Sequence, residues 1–238
     1  MSAAGLLLAA GAGRRLGRPK ALVRFDGALL VERGVRLLHD GGCDPVIVVL
    51  GAAADEVMER ADLAGVRVVR NEAWESGMGS SVRCGLAALA GGRGAGEDAP
   101  DTGAGAAVVA LVDQPLVGAE AVRRLIAAWR ADPSLSAAVA TYDGRPRNPV
   151  LLARSAWPAA ADAAEGDVGG RAFLRGARGT YDACVAEVAC DGTGLPDDVD
   201  TPAQLAALTT VLTLGPDTDK KRAGRATHPL LPHPRPRR

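Results

Sequence analysis

A short apolar run that breaks into glycines and cations, Leu6–Lys20 (LLLAAGAGRRLGRPK), constrains the fold of this chain more than any other stretch. The run LLLAA is too short for an ordinary helix and is typical of a buried strand. The residues behind it are small or cationic: Gly11, Gly13, Arg14, Arg15, Gly17, Arg18 and Lys20. Glycines allow sharp turns, and successive backbone N–H groups in such turns form a concave anion site. The stretch therefore predicts a phosphate-binding loop, with a solvated basic surface turn as the alternative.

Two well-known phosphate motifs do not fit this loop. A Walker P-loop needs Ser or Thr after its lysine, whereas Lys20 is followed by Ala21. A dinucleotide fingerprint has its third glycine one residue earlier and an acidic residue at the end of the second strand. The second predicted strand, Val46–Leu50, instead ends in Gly51.

Composition excludes several classes of protein. The formal net charge of zero argues against a general nucleic-acid binder, and 3% aromatic residues are too few for a base-stacking surface. No apolar stretch reaches the ~18 residues of a membrane span, and no Lys or Arg precedes the first apolar run as in a signal peptide. The four cysteines form no CxxC pair, so we predict a cytoplasmic protein with reduced thiols and no contact with nucleic acid or membrane.

Apolar strand candidates alternate with amphipathic helix candidates along the chain. After the first strand, the predicted strands are Val46–Leu50, Val66–Val69, Ala106–Val112, Ser136–Tyr142, Pro149–Leu152 and Tyr181–Val188. The predicted helices are Ala28–Asp40, Asp55–Asp62, Gly79–Ala90, Ala119–Ala131, Ser155–Ala164, Gly170–Arg175 and Thr201–Leu212. This alternation predicts a single Rossmann-like α/β domain over residues 1–214, a mostly parallel sheet with helices on both faces. Ligands of such sheets lie outside the carboxyl ends of the strands.

Two segments are predicted to lack regular structure. Residues 91–105 are rich in glycine, proline and acids, and we expect a mobile loop. Residues 215–238 are basic and proline-rich, since 217–238 hold seven Lys or Arg against two Asp and also four prolines. A disordered, solvated tail is the prediction, and contact with nucleic acid or membrane is the alternative.

Acidic residues follow the predicted strand Ala106–Val112 and precede the last predicted helix. Asp113 stands where the strand meets solvent, where a carboxylate either caps the next loop or holds a divalent cation. Magnesium takes one or two carboxylates and completes its shell with water and phosphates. Asp197, Asp198 and Asp200 supply a second carboxylate or form a solvated turn, because Thr201 already caps the helix. A third segment, Asn71–Ser81, opens a helix whose N-terminus favours anions; we expect its Trp74 to serve packing.

Five motifs occur in this order along the chain: LAAGAGRRLGRPK, NEAWESGMGSS, LVDQP, GDVGGR and DVDTPAQL. In these motifs the chain resembles the molybdenum-cofactor nucleotidyltransferases, particularly the molybdopterin cytidylyltransferases. The resemblance covers about residues 5–212. It implies a nucleotide-diphospho-sugar transferase-like fold and a Mg²⁺-dependent enzyme. Such an enzyme moves a nucleoside monophosphate from an NTP to a phosphate-bearing acceptor and releases pyrophosphate.

The resemblance also implies roles for individual residues. Lys20 and Arg15 would contact the triphosphate beside Gly13, and Asp113 and Asp200 would hold magnesium, with Asp198 as the other candidate for the second position. The sequence Leu8-Ala9-Ala10-Gly11 is similar to the cytidylyl branch and implies CTP. The residues matching the base and ribose site are Gly77, Ser80 and Ser81.

The acceptor side departs from the family pattern. Cytidylyltransferases usually carry Gly-His before the proline, whereas this chain has Arg147-Asn148-Pro149. Arginine binds a terminal phosphate well, so molybdopterin stays the favoured acceptor. A sugar or alditol phosphate acceptor and a non-catalytic nucleotide-binding module are the alternatives. The resemblance also suggests a molybdoenzyme or cofactor-delivery protein as partner.

Overall fold

The computed structural model describes residues 2–92, 100–166 and 184–214. Its strands are β1 Ala3–Ala9, β2 Arg24–Phe25, β3 Ala28–Leu29, β4 Val46–Leu50, β5 Arg67–Arg70, β6 Ala106–Leu111, β7 Leu135–Tyr142, β8 Arg145–Ala153 and β9 Cys184–Ala189. Its α-helices are α1 Leu30–Asp40, α2 Ala54–Arg60, α3 Met78–Leu89, α4 Ala119–Ala131, α5 Trp157–Ala163 and α6 Pro202–Leu214.

Seven strands form one sheet in the order β5-β4-β1-β6-β8-β7-β9. Strand β1 pairs in parallel with β4 and β6, so that Leu8 lies opposite Val49 on one side and Leu111 on the other. Strand β8 alone runs antiparallel to its neighbours β6 and β7. The predicted mostly parallel sheet is confirmed. The loops that follow β1, β4 and β6 consequently meet at one edge.

Helices cover both faces of the sheet, as predicted. Leu7 of β1 lies in the apolar layer shared with α1 and α4, whereas Leu6 lies in the layer shared with α3 and α5. In each layer, one helix contacts β1 at a glycine. A Cβ on Gly34 of α1 would lie 2.6 Å from the Leu7 side chain, and one on Gly85 of α3 would lie 2.3 Å from Leu6. These glycines let two helices pack closely on the central strand, which fixes its carboxyl end.

Two Asp-Gly turns correct the predicted element boundaries. Ala28–Leu29 was predicted to begin a helix but forms β3, which pairs with β2 around Asp26 and Gly27, both at positive φ. Strand β8 begins at Arg145 rather than at the predicted Pro149, because Asp143 and Gly144 turn the chain back from β7 with positive φ. Asp-Gly at positive φ is the strongest short-range hairpin signal. It explains why β8 runs against the sheet.

Strand β1 begins at Ala3, three residues before the apolar run that predicted it. The other predicted elements agree with the structure within about two residues at each described end. Residues 93–99 of the predicted mobile loop, the predicted helix 170–175, residues 181–183 of the last predicted strand and the predicted tail 215–238 lie outside the described residues. Within the described part of the chain, no helix has both the length and the apolar character needed to span a membrane.

A second pairing joins the segment after β6 to the segment before α6. The N–H of Leu195 donates to the carbonyl of Leu116 at 2.9 Å, and the N–H of Val199 donates to the carbonyl of Asp113 at 2.8 Å. Gly118 lies so close that a Cβ on it would stand 2.0 Å from the Thr193 carbonyl oxygen. This pairing brings the acidic stretch 197–200 beside Asp113.

We expect Gly118→Ala to lower the free energy of unfolding by about 1–3 kcal/mol, because the added methyl group forces the two paired segments apart. Urea unfolding of the full chain measures the change. Gly11→Ala is the matched control, since a Cβ there meets nothing within 4 Å. Equal midpoints for the two variants would show that this pairing tolerates separation.

Candidate functional site

A cleft of about 430 Å³ opens at the edge where β1 and β6 end. Three segments line it: the loop after β1, the stretch between β5 and α3, and the two acids Asp113 and Asp200. The sequence predicted that the glycine-rich loop and Asp113 share one sheet edge, and the structure brings them into direct contact.

Glycines shape the loop after β1. Gly13 and Gly17 have φ of 60° and 72° and flank a 3-10 turn over Arg14–Leu16. A Cβ on Gly13 would lie 2.0 Å from the carbonyl oxygen of Arg18, so no other residue fits there. The loop folds back on itself in this way and returns Lys20 to the cleft.

Lys20 joins the two acids of the cleft. Its Nζ lies 2.5 Å from Oδ2 of Asp113 and 2.6 Å from Oδ1 of Asp200. These three side chains are only 17%, 16% and 23% exposed. Arg15 reaches the other oxygen of Asp200 with its Nη2 at 3.0 Å, although its own side chain is 71% exposed. Two cations thus face two carboxylates at the mouth of the cleft.

The contacts in the cleft keep Lys20 and Asp200 charged. Partial burial alone would lower the pKa of Lys20, but the charge of Asp113 and the hydrogen bonds to both acids outweigh it and raise this pKa. The hydrogen bond from Lys20 lowers the pKa of Asp200, and the charges of Lys20 and Arg15 add to the effect. Both groups are therefore ionised at neutral pH.

The structure separates the roles of Asp198 and Asp200. Asp200 lines the cleft, whereas Asp198 accepts a hydrogen bond from Nε2 of Gln114 at 2.8 Å. Desolvation raises the pKa of Asp198, and the nearby charge of Asp113 raises it further. Because Asp200 lines the cleft and contacts Lys20 whereas Asp198 does not line it, Asp200 is the better placed second carboxylate.

The donor set of the cleft fits a divalent cation. Oδ1 of Asp113 is buried and has no hydrogen-bond partner within the described residues. Residues 2–92, 100–166 and 184–214 contain no ready-made cluster of three or more acidic, His or Cys side chains for a metal. Magnesium does not need such a cage, because it is held by one or two carboxylates plus water and substrate phosphates. Asp113 and Asp200 are the residues that could hold it.

Buried polar contacts organise the stretch between β5 and α3. Asn71 is 5% exposed, and its Nδ2 donates to Oγ of Ser80 at 2.8 Å and of Ser81 at 3.0 Å. The Ser80 hydroxyl lies 3.0 Å from the carbonyl oxygen of Ala73 and 2.8 Å from that of Gly77. Gly77, at φ 108° and ψ 176°, adopts a conformation almost confined to glycine. Gly77 and Ser81 line the cleft, whereas the Ser80 side chain makes its hydrogen bonds within this stretch.

The two alanines at the end of β1 point to different places. Leu8 and Ala10 line the cleft together with Gly11. Ala9 instead belongs to the apolar layer under α1 and α4 and does not line the cleft. The period of two along a strand explains the difference. Of the pair Ala9 and Ala10, only Ala10 is placed to contact a ligand.

Sequence reasoning gave no site role to Met78, Trp74 or Gln114. Met78 lines the cleft, and Trp74 does so as well as packing closely over Gly51, where a Cβ would lie 2.5 Å from the Trp74 Cβ. Gln114 is 5% exposed and donates to the Pro196 carbonyl at 3.0 Å as well as to Asp198. Its position directly after Asp113 was the available signal.

Arg147 and Asn148 do not line this cleft. They lie at the beginning of β8, which pairs antiparallel with β6 with Val150 opposite Val109. That register directs them toward the end of β6 that leads into Asp113. They therefore share the sheet edge with the cleft, one strand further along.

The comparisons with known proteins agree with this geometry. The MobA-like NTP transferase domain family matches residues 5–184. The chain belongs to this family. The family resemblance inferred from the five motifs is thus confirmed, and membership supports transferase activity.

Similar proteins within and around the family carry different names. The chain is 39% identical to "Nicotine blue oxidoreductase" of Paenarthrobacter nicotinovorans, over 86% of this chain and 95% of that protein. It is 35% identical to the molybdenum cofactor guanylyltransferase of Rhodobacter capsulatus, over 54% of this chain and 60% of that protein. A Mycobacterium tuberculosis H37Rv protein solved in complex with manganese has a TM-score of 0.67 and 26% identity, over 88% of this chain and 99% of that one. None of these names confirms CTP.

Replacing Gln114 by Met tests how residues 196–198 are held beside the end of β6. The change removes both donors at nearly constant volume, so the hydrogen bonds to Asp198 and to the Pro196 carbonyl are lost. Two such bonds are worth about 1–3 kcal/mol in unfolding free energy, which is the loss we expect. Thermal and urea unfolding measure it, with Gln114→Glu as the comparison, which adds a negative charge beside Asp198 and should cost more. An unchanged unfolding midpoint for Gln114→Met would remove Gln114 from the account of the site.

Proposed function

We propose that this protein transfers a nucleoside monophosphate from an NTP to a small phosphate-bearing acceptor and releases pyrophosphate. The observation that carries the proposal is the contact of Lys20 with Asp113 and Asp200, at the carboxyl end of parallel strands in a MobA-like NTP transferase domain. CTP is the favoured nucleotide and molybdopterin the favoured acceptor.

The residues of the cleft suit a reaction between two anions. Lys20 and the backbone N–H groups of the loop after β1 would hold the β- and γ-phosphates, the group that leaves as pyrophosphate. Arg15, largely exposed at the mouth, would add positive charge beside them. A phosphate acceptor is already ionised at neutral pH and needs no general base. The protein's task is then to neutralise charge and align the reacting groups.

Asp113 and Asp200 would hold the divalent ion, for which Mg²⁺ is the proposal. Bound there, it would stabilise negative charge on the α-phosphate. The free Oδ1 of Asp113 and the absence of a three-ligand cage among the described residues both support an ion shared with the substrate. The manganese complex of the mycobacterial neighbour supports a divalent ion for this fold.

The acceptor would lie on the β8 side of the cleft. Arg147 and Asn148 begin β8 on the same sheet edge, where a guanidinium group can bind a terminal phosphate. The molybdenum cofactor guanylyltransferase relative supports a molybdopterin acceptor, and a sugar or alditol phosphate is the alternative. Transfer to the cofactor would suit a cytoplasmic protein that passes its product to a molybdoenzyme or a delivery protein.

The relative from Paenarthrobacter nicotinovorans is named an oxidoreductase, so a second candidate for this chain is a redox reaction. We take hydride transfer from a nicotinamide dinucleotide as the form of it to test. Lys20 and the loop N–H groups could also contact the pyrophosphate of such a cofactor, but the loop lacks the dinucleotide fingerprint, which favours the first candidate. The acid pair distinguishes the two candidates, because only the nucleotidyl transfer needs a metal ion on Asp113. Asp113→Asn should abolish pyrophosphate release but spare oxidation of NADH or NADPH.

The transfer activity itself is tested by pyrophosphate release with each NTP against molybdopterin and common sugar phosphates. We expect Lys20→Ala to lower kcat/KM by about 10²-fold or more, since the lysine would act on the transferring phosphates. Arg18→Ala is the control, because Arg18 does not line the cleft, and it should change the rate little. A larger loss in Arg18→Ala than in Lys20→Ala would show that the loop is read in the wrong register.

Base choice is tested by kcat/KM for CTP and GTP in the wild type, Ala10→Gly and Ala9→Gly. The Ala10 methyl group lines the cleft where a purine needs more room, so CTP should be preferred and Ala10→Gly should narrow the preference. The effect of one methyl group is worth about 1–3 kcal/mol at most, or roughly 10- to 200-fold. Ala9→Gly, in the apolar layer, should affect stability rather than base choice. A wild type that prefers GTP would refute the cytidylyl assignment.

A further inference from the structure

We propose that Lys20 closes the divalent-cation site of the free protein and opens it only when the phosphates of a nucleotide draw the lysine away. The inference rests on the proposed function, because it concerns the metal and nucleotide of the same cleft. It adds an order of binding: a free cation is excluded, and the cation and the nucleotide enter together.

The geometry of the ammonium group supports this closure. Nζ of Lys20 lies within hydrogen-bonding distance of Oδ2 of Asp113 and Oδ1 of Asp200 at once. A magnesium ion held by both acids needs their oxygens at about 2.0–2.1 Å. An ion between the two carboxylates would compete with the ammonium group for Oδ2 of Asp113 and Oδ1 of Asp200. Even an ion on the free Oδ1 of Asp113 would lie close to the ammonium group and be repelled by it. Both cannot occupy the space between the carboxylates.

The lysine has little reason to leave while the cleft holds no nucleotide. Its side chain is 17% exposed, and the two carboxylates are its hydrogen-bond partners. Arg15 cannot replace it fully, because among the described residues its ion pair is with Asp200 and leaves Asp113 uncompensated. If Lys20 moved away and no other cation replaced it, the two carboxylates would repel each other, with only the charge of Arg15 beside Asp200 to offset them.

A nucleotide changes this balance because its phosphates offer Lys20 a new anionic partner. The same cleft is lined by the loop residues Gly11–Arg15, so phosphates bound there lie within the lysine's surroundings. When Lys20 turns to the phosphates, the oxygens of Asp113 and Asp200 become free for the cation. Binding of metal and binding of nucleotide are then positively coupled, and the coupling must be reciprocal.

The test is a titration of the full chain with Mn²⁺ alone, followed by the electron paramagnetic resonance signal of free Mn²⁺. We expect Lys20→Met, which removes the charge and keeps the length, to bind Mn²⁺ at least about tenfold more tightly than the wild type without nucleotide. Arg18→Met is the matched control, since it removes a cation of the same loop that contacts neither acid, and it should bind like the wild type. Adding Asp113→Asn to Lys20→Met should abolish the gain.

Thermal unfolding provides a second measurement that does not depend on the paramagnetic resonance signal of Mn²⁺. Mn²⁺ should raise the melting temperature of Lys20→Met and leave that of the wild type nearly unchanged. Lys20→Gln serves the same purpose where Lys20→Met does not fold. Equal Mn²⁺ affinity in the wild type and in either Lys20 variant would overturn the closure, and so would a gain of the same size in Arg18→Met.

The outcome is separable from that of the proposed function. If Lys20→Met bound Mn²⁺ tenfold more tightly but the wild type released no pyrophosphate from any NTP, the closed cation site would stand and the transfer reaction would be refuted. Normal pyrophosphate release with unchanged Mn²⁺ affinity would keep the reaction and remove the closure.

Discussion

One ammonium group holds this site together. Lys20 comes from the loop after the first strand, Asp113 from the end of β6 and Asp200 from the segment before α6, separations of 93 and 180 residues from the lysine. Each of these positions requires its own local structure: glycines that fold the loop back, a parallel strand that stops at the sheet edge, and a backbone pairing that brings residues 193–199 beside 113–118. The ion contacts need all three at once.

The energetic sense of this arrangement is compensation of charge. Two partly buried carboxylates side by side would repel each other and lose hydration, so they need a cation between them. In the free protein, that cation is Lys20, with Arg15 in support. In the proposed reaction, the same acids, once separated from the lysine, would hold a divalent ion shared with phosphates. A single set of side chains thus serves stability and, in the proposed reaction, catalysis.

The sequence predicts this site well because its parts carry strong local signals. The apolar run before Gly11, the apolar strand before Asp113 and the capping box at Thr201 each fix where a side chain leaves a regular element. Long-range closeness follows from the rule that parallel strands end at one edge. Two hairpins were missed although the sequence carries their signal: Asp26-Gly27 and Asp143-Gly144 turn the chain in ways that shorten α1 and extend β8. What could not be predicted depends on three-dimensional packing, since only the structure shows that Ala10 lines the cleft and Ala9 does not, and that Gln114 donates a hydrogen bond to Asp198.

The most direct test is a crystal structure of the full chain with Mn²⁺ and a non-hydrolysable CTP analogue. The anomalous scattering of manganese locates the ion. We expect an anomalous peak in contact with both Asp113 and Asp200, and phosphates beside the loop after β1. Lys20 should have moved from the carboxylates to those phosphates. A peak away from the two acids, or Lys20 still bound between Asp113 and Asp200 with nucleotide present, would contradict this prediction.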